Sequence, residues 1–293
     1  MARSRRSVAR VSAFRRRLRK AQKQRSQRLS RFPQFEALEA RELLATLAWS
    51  SGPALPAPRT DAAAVVTPDK AVRVVGGASA NATASPVLAP GATSWSSGPK
   101  IDTARNDLGA VRLGNSVILF GGTGGTEGIN EVLSYDYRAG DSQDLAKMSQ
   151  IRYDFGFAAD GSGRGYAIGG IGVRADGQVW SQVERYDPAT KTWKSVAPLP
   201  VPLHGSSAIG DGKGHIFVFG GSTKIDDSGI QGVTYRYDIA TDKWTTMAPM
   251  PTATRDSATV IDKSGAIYVL GGMTKNGATA KVQKYDPSTN AWS

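Results

Sequence analysis

Arginine recurs beside an acidic residue at intervals along this chain. The pairs occur in Arg59-Thr60-Asp61, Arg105-Asn106-Asp107, Arg152-Tyr153-Asp154 and Arg255-Asp256, and His204-Gly205 stands at the comparable place in one further segment. A guanidinium group can form two parallel hydrogen bonds with a carboxylate. The pattern therefore allows two roles: a site for an anionic ligand formed by Arg59, Arg105, Arg152, His204 and Arg255, or structural pairing of each arginine with a nearby aspartate.

Other kinds of chemistry have few candidate residues. The chain has no cysteine, which excludes disulfides, thiolate metal sites and a cysteine nucleophile. With no cysteine and only two histidines, His204 and His215, the chain has few residues that could act as metal ligands. The glycine pairs close apolar runs and open no helix, so they do not indicate a phosphate-binding loop. We predict no catalytic constellation, no metal site and no cofactor.

The elements that must position these residues belong to an internal repeat. A double glycine closes an apolar run five times, and the second glycines are 45, 48, 51 and 51 residues apart. The pairs are Gly76-Gly77, Gly121-Gly122, Gly169-Gly170, Gly220-Gly221 and Gly271-Gly272. The tyrosines of a later landmark are Tyr135, Tyr186, Tyr237 and Tyr285, and its tryptophans are Trp95, Trp193, Trp244 and Trp292. The repeats span about residues 54–99, 100–147, 148–198, 199–249 and 250–293.

Each repeat predicts a small antiparallel sheet. Polar turns such as Asp211-Gly212-Lys213-Gly214 separate its first two apolar runs. The double glycine suits a place where backbones approach closely or where φ is positive. One such sheet cannot bury both faces, so neighbouring repeats must stack, and the tyrosines and tryptophans supply apolar area between them.

These three landmarks in fixed order resemble the kelch motif, and the resemblance covers roughly residues 46–293. It implies an all-β propeller of four-stranded antiparallel blades with five visible repeats. It also places the arginine positions at the mouth of the central channel. Kelch-type substrate adaptors use arginines there for acidic peptides, and kelch-fold sialic acid epimerases use them for an anionic sugar. Trp49 precedes the first repeat in a sequence similar to that around Trp95. Its strand either closes a five-bladed ring, or a sixth blade follows in a longer protein.

The N-terminal segment differs from the repeats. Residues 1–31 contain thirteen Lys and Arg and no Asp or Glu, whereas the remaining residues have a net charge of about −1. Such a tail predicts disorder. Residues 32–45 predict a short helical element, and Phe35–Leu44 resembles the LEPR/LEDR element of exported planctomycete proteins. That resemblance implies an exported or cell-surface bacterial protein, with a cytoplasmic location as the alternative.

Three functions remain open from the sequence. We favour a non-catalytic interaction module that binds a protein or a carbohydrate, such as an anionic glycan, at the channel mouth. The second hypothesis is an enzyme similar to sialic acid epimerases, with Glu127, Glu131 or Glu184 as acid–base candidates. The third is nucleic-acid binding through residues 1–31, which would be strongly salt-dependent.

Overall fold

The computed structural model describes residues 50–79, 83–124, 128–172, 178–226 and 228–293. Residues 52–293 form one compact unit, and the other unit, residues 1–51, is described only at the exposed Ser50 and Ser51. The basic tail, the helical prediction for residues 32–45, Trp49 and Glu127 lie outside the described residues. The described part contains strands and no helix. It therefore offers no helix that is long and apolar enough to cross a membrane.

The strands form five four-stranded antiparallel sheets, as the kelch resemblance predicts. Blade 1 contains β1 (Thr60–Val66), β2 (Val72–Ala78), β3 (Ser85–Leu88) and β4 (Ser96–Gly98). Blade 2 contains β5 (Gly109–Leu113), β6 (Ser116–Phe120), β7 (Val132–Tyr135) and β8 (Ser142–Asp144). Blade 3 contains β9 (Gly156–Ala159), β10 (Gly165–Ile168), β11 (Val183–Asp187) and β12 (Thr192–Val196). Blade 4 contains β13 (Ser207–Gly210), β14 (His215–Phe219), β15 (Thr234–Asp238) and β16 (Lys243–Thr246).

Blade 5 differs by an additional hairpin. Its four main strands are β17 (Ala258–Ile261), β18 (Ile267–Leu270), β21 (Val282–Asp286) and β22 (Ala291–Trp292). The hairpin consists of β19 (Met273–Thr274) and β20 (Gly277–Ala278) and lies in the connection from β18 to β21. The first strands of consecutive blades contact one another, in the order β1, β5, β9, β13 and β17. This arrangement places the first strands around the central axis of a propeller.

Aspartates fix the turns at one end of the blades. In the turns after β9, β13 and β17, the carboxylates of Asp160, Asp211 and Asp262 accept backbone N–H groups two and four residues later. Before the fourth strand, the aspartate of each Tyr-Asp pair accepts the backbone N–H two residues later, as in Asp238, which accepts from Ala240 N–H at 3.0 Å. Such side-chain bonds stabilise tight turns locally. The sequence landmarks therefore specify where each strand reverses.

Apolar cores lie between consecutive blades. Buried clusters join blades 1 and 2, blades 2 and 3, blades 3 and 4, and blades 4 and 5. Tyr135, Tyr186, Tyr237 and Tyr285 are buried in them, and Trp193, Trp244 and Trp292 pack at their margins. Because successive strand residues point to opposite faces, the middle blades contribute to a core on each side.

The tryptophans also join each blade to the linker that precedes it. The indole N–H of Trp193, Trp244 and Trp292 donates to the carbonyl of Ala146, Ala197 and Ala248, respectively. Trp95 donates to the Pro53 carbonyl in the same way. In blade 2, Ser142 stands at the tryptophan position, and the Tyr135 hydroxyl donates to the Pro99 carbonyl instead. These contacts support a structural role for the tryptophans.

The first four double glycines each form a junction with the next blade. In each of these pairs the N–H of the second glycine donates to a carbonyl of the linker into the next blade: Gly77 to Arg105, Gly122 to Arg152, Gly170 to Leu203 and Gly221 to Thr254, at 2.8–2.9 Å. The same carbonyls lie where a Cβ on the first glycine would stand. Both glycines of each pair have positive φ. Only glycine meets both conditions without strain, which explains the motif.

Candidate functional site

A ladder of backbone hydrogen bonds crosses the blades at the start of their first strands. The N–H groups of Asp107, Asp154, Gly205 and Asp256 donate to the carbonyls of Asp61, Asp107, Asp154 and Gly205, respectively. These five residues, which we call the mouth ladder, have φ between 52° and 59°. The left-handed region is tolerated by glycine and, among other residues, best by Asp and Asn. The recurring aspartate is therefore explained first by its backbone conformation.

Three of the predicted arginines point into their own blades. Arg59 donates to the carbonyls of Gly76 and Ala84 at 2.6 and 3.1 Å. Arg152 donates to the Gly169 and Gln182 carbonyls at 2.9 and 3.1 Å. Arg105 is buried and lies 3.5 Å from Glu131. These contacts favour the structural role for this group, although its ligand-binding role stays a prediction.

The Arg152 contact includes an ion pair inside blade 3. The Arg152 side chain is fully buried and lies 2.6 Å from Glu184, which is itself 2% exposed. Glu184 also accepts the backbone N–H of Ser149 at 2.8 Å. Burial lowers the pKa of Arg152 because it penalises the charged guanidinium, while the charge of Glu184 opposes that shift. The ion pair and these hydrogen bonds thus attach the linker before β9 to β10 and β11.

His204 and Arg255 occupy a different position from these arginines. Each lies immediately before the ladder residue, where blades 1, 2 and 3 have Thr60, Asn106 and Tyr153. The arginine position itself holds Leu203 in blade 4 and Thr254 in blade 5. The five predicted ligand residues therefore do not occupy equivalent positions in their repeats. The sequence prediction grouped residues two positions before the ladder residue with residues one position before it, because both kinds lie close to the recurring aspartate.

His204 links blade 3 to blade 4. Its Nδ1 lies 2.7 Å from a carboxylate oxygen of Asp154, and its Nε2 lies 2.9 Å from the Lys224 carbonyl. A carbonyl only accepts, and a carboxylate also accepts, so this geometry suits an imidazolium that donates from both nitrogens. Burial opposes the charge, but the bonds to Asp154 and Lys224 outweigh it and raise the pKa of His204.

Asp256 lies beside Asp154 at the junction of blades 4 and 5. Its side chain remains 41% exposed, but partial loss of hydration and the negative charge of Asp154 raise the pKa of Asp256 to about 7, and Arg255 and His204 oppose the shift. Arg255 contacts the Asp256 carboxylate. A Cβ at Gly205, the ladder residue between them, would overlap Asp256 Oδ1. Glycine at this one ladder position therefore leaves room for the two carboxylates to approach each other.

Stability should depend on the protonation of Asp256. The raised pKa means that the folded protein favours the protonated form of Asp256 over the ionised form. The contribution of the protonated carboxyl to folding stability is complete below about pH 3.8, the usual pKa, and is lost as the pH rises through about 7. Asp256→Asn cannot ionise, so its melting temperature relative to wild type should be higher at pH 8 than at pH 5. Asp262→Asn is the control, because bonds from Ser264 hold the pKa of Asp262 below its usual value. Equal pH profiles for the two variants would contradict the carboxylate interaction.

A cavity of about 430 Å³ lies on the mouth side between blades 4 and 5. It is lined by Ile230, Pro251, Thr252, Thr274, Lys275 and Lys281, among others, and none of its described lining residues carries a carboxylate. Lys281 donates to the Thr252 hydroxyl at 3.1 Å. Buried Gln283 holds Thr252 by accepting its N–H at 2.7 Å and donating to its carbonyl at 3.0 Å. The cavity is thus a positively charged recess with a fixed wall.

The described residues offer little for catalysis. No group of three or more His, Asp or Glu side chains in the described part could hold a metal ion. Of the proposed acid–base residues, Glu184 is buried in its ion pair, and Glu131 lies near both Arg105 and Lys147. Glu127 is outside the described residues. The arrangement suits binding of an anion better than proton transfer.

Comparison with known proteins agrees with this geometry. A family model described as the Attractin/LZTR1 beta-propeller matches residues 74–293. The chain belongs to this propeller family. It is also 30% identical over 165 residues to human "Kelch-like protein 34", covering 55% of this chain and 24% of the relative. It is 30% identical over 141 residues to "Kelch-like protein terF" of Aspergillus terreus, covering 43% of this chain and 30% of the relative.

A further relative shows the same partial coverage. "Kelch repeat and BTB domain-containing protein 12" of Danio rerio is 28% identical over 162 residues, which cover 53% of this chain and 26% of the relative. The chain thus matches about a quarter to a third of the length of these relatives. The similarity establishes a kelch-type propeller, a fold typical of protein-interaction modules.

Sequence reasoning missed the charged recess in this kelch propeller. Lys275 and Lys281 lie in a connection whose sequence has no counterpart in the other repeats. The available signal was its pair of lysines around Asn276-Gly277, a dipeptide that also predicts a hairpin. The partner wall, Pro251 and Thr252, belongs to a linker distant in sequence, so only the fold brings the two together.

Proposed function

We propose that this kelch propeller is a non-catalytic module that binds an acidic segment of a partner protein at its mouth face. The recess with Lys275 and Lys281 carries the proposal. Neither ammonium group forms an ion pair with a carboxylate in the part of the chain that the structure describes. Opposite charge on a partner would speed association and favour specific binding.

The surroundings of the recess support a peptide more than a sugar. Ile230, Pro251, Ala253 and Ala278 provide apolar surface next to the lysines, and no aromatic ring is among the described lining residues for a sugar ring to stack on. The walls are held by hydrogen bonds, including Thr274 Oγ1 to the Gly277 carbonyl at 2.8 Å. A wall that is already ordered lowers the entropic cost of binding.

The test compares two charge-reversed variants. Lys275→Glu with Lys281→Glu should weaken binding to synthetic peptides that alternate Glu and Leu by at least tenfold, roughly the value of one strong ionic contact. Lys213→Glu with Lys263→Glu is the matched control, because these lysines lie in the turns between first and second strands, at the opposite end of the blades. Binding is measured by fluorescence anisotropy at fixed salt.

Each outcome has a clear meaning. Binding that disappears in the recess variant and persists in the control supports the proposal, as does loss of binding when Gln replaces Glu in the peptide. Equal weakening in both variants would indicate only general charge attraction. Binding to an anionic glycan array without binding to the peptides would establish the carbohydrate alternative and overturn the protein-binding proposal. No binding to either set would also overturn it.

We propose further that the protein acts outside the cytoplasm. The support is the resemblance of Phe35–Leu44 to an element of exported proteins, after a basic segment. Fractionation of cells that produce the full chain, with a reporter fused after Ser293, measures the location. Retention of the reporter in the cytoplasm would refute this proposal and leave the binding proposal intact.

A further inference from the structure

The tip of the β19–β20 hairpin carries an asparagine followed by a glycine. Asn276 is exposed and forms a two-residue turn with Lys275, between the paired Thr274 and Gly277. Asn276-Gly277 is the single Asn-Gly pair of the sequence. In the part of the chain that the structure describes, the Asn276 side chain has no hydrogen bond, whereas its backbone N–H donates to the Thr274 hydroxyl at 3.1 Å. The side-chain amide is therefore in contact with water and can rotate.

Three other asparagines are held by hydrogen bonds of their side chains. Asn106 Oδ1 accepts the Thr123 hydroxyl at 2.8 Å, and Asn290 Oδ1 accepts the Ala248 N–H at 2.8 Å. Asn130 Nδ2 donates to a backbone carbonyl at 2.9 Å. Such bonds restrict the rotation that would bring the amide carbon of an asparagine to the backbone nitrogen of the next residue. The amide at the hairpin tip lacks that restriction.

The backbone on the other side of this amide is also accessible. Gly277 has φ 107°, and a Cβ placed there would meet no described atom within 4 Å. Because glycine has no side chain, nothing on Gly277 hinders the approach of its own nitrogen to the Asn276 amide carbon. β19 and β20 contain two residues each. So short a hairpin opens locally at a small cost in free energy, which allows the approach.

We infer that Asn276 is a deamidation site and that its conversion reduces anion binding in the lysine recess. The Gly277 nitrogen attacks Asn276 Cγ, a new C–N bond closes a cyclic imide, and the side-chain nitrogen leaves as ammonia with the proton that the Gly277 nitrogen gave up. Water then opens the imide at either carbonyl, which gives aspartate or isoaspartate. The net reaction consumes water, releases ammonia and requires no oxidant, reductant or metal ion.

The product places a carboxylate in the recess. Asn276 lines the cavity together with Lys275 and Lys281, and none of the described lining residues is acidic. The new carboxylate attracts the two ammonium groups and repels an acidic ligand. This effect on binding rests on the proposed function, whereas the conversion itself does not. We expect the affinity for an acidic peptide to fall about threefold to fivefold, the upper range for an exposed ion pair.

Asn115 provides a control for the conversion within the same molecule. It is also exposed and lies in the two-residue turn between β5 and β6, but Ser116 follows it. The full chain is incubated in mildly alkaline buffer and digested, and mass spectrometry measures the change from amide to carboxylate at both asparagines. Conversion at Asn276 should be several times greater and should rise with pH, because the attacking nitrogen must lose its proton. Equal conversion at the two positions, or none at Asn276, would overturn the inference.

The effect on binding is tested with the same Glu-Leu peptides. Asn276→Asp should bind them about threefold to fivefold more weakly than fresh wild type, and incubated wild type should approach that affinity. Asn276→Ser is the control, because it cannot form the imide and should keep its affinity through the same incubation. Conversion without loss of affinity, or an equal loss in Asn276→Ser, would overturn the regulatory effect. If fresh wild type bound no peptide, the proposed function and this effect would both fail, and the digest would still decide the conversion.

Discussion

Replacing Arg152 with alanine is expected to lower the free energy of unfolding by about 3–5 kcal/mol, the usual cost of removing one member of a buried ion pair. The reason is that Glu184, 2% exposed, would be left buried without its cationic partner. The Gly169 and Gln182 carbonyls would also lose their donor. Urea unfolding followed by tryptophan fluorescence measures the change, and an effect below about 1 kcal/mol would show that the pair is not buried as described.

Blade 4 supplies a control for this prediction. At the positions of Arg152 and Glu184 it has Leu203 and Tyr235, an apolar pair that is also buried. Replacing a buried ion pair by well-packed apolar residues is often neutral or stabilising. Arg152→Leu with Glu184→Tyr should therefore recover at least half of the stability that Arg152→Ala loses. If the double variant is no more stable than Arg152→Ala, the loss comes from the backbone carbonyls and not from the isolated charge.

Gly220→Ala is expected to destabilise the protein by about 2–4 kcal/mol. The added Cβ would overlap the Thr254 carbonyl oxygen of the linker into blade 5, so the two blades must separate or distort. Overpacking of this kind costs about 1–3 kcal/mol, and the left-handed backbone adds about 1 kcal/mol for a residue with a side chain. The same unfolding measurement applies.

The fifth double glycine offers a matched comparison. Gly271 has φ 63°, close to the 61° of Gly220, but among the described residues a Cβ there would meet only the Thr279 carbonyl oxygen, at 3.3 Å. Gly271→Ala should therefore cost only the backbone term of about 1 kcal/mol. The difference between the two variants isolates the contact between blades. Equal losses would mean that the glycines are required for their backbone conformation alone.

The mouth residues show why site prediction from sequence was partial. Arginine and aspartate recur together, and the sequence alone could not separate a ligand-binding set from a structural one. The structure gives each residue a specific neighbour: Arg59 and Arg152 bind strand carbonyls, whereas Asp256 approaches Asp154 across Gly205. These distances depend on how linkers lie over neighbouring blades, which local sequence does not encode.

The sequence by itself determined the kelch architecture, because its landmarks act locally. Asp-Gly turns, Tyr-Asp pairs and double glycines each specify a backbone conformation within a few residues, and their order repeats five times. The tertiary structure alone decided which repeated residues are buried and where the lysine recess lies. Those properties arise from contacts between segments about 50 residues apart, where packing and charge depend on the neighbouring blade and not on the residue's own repeat.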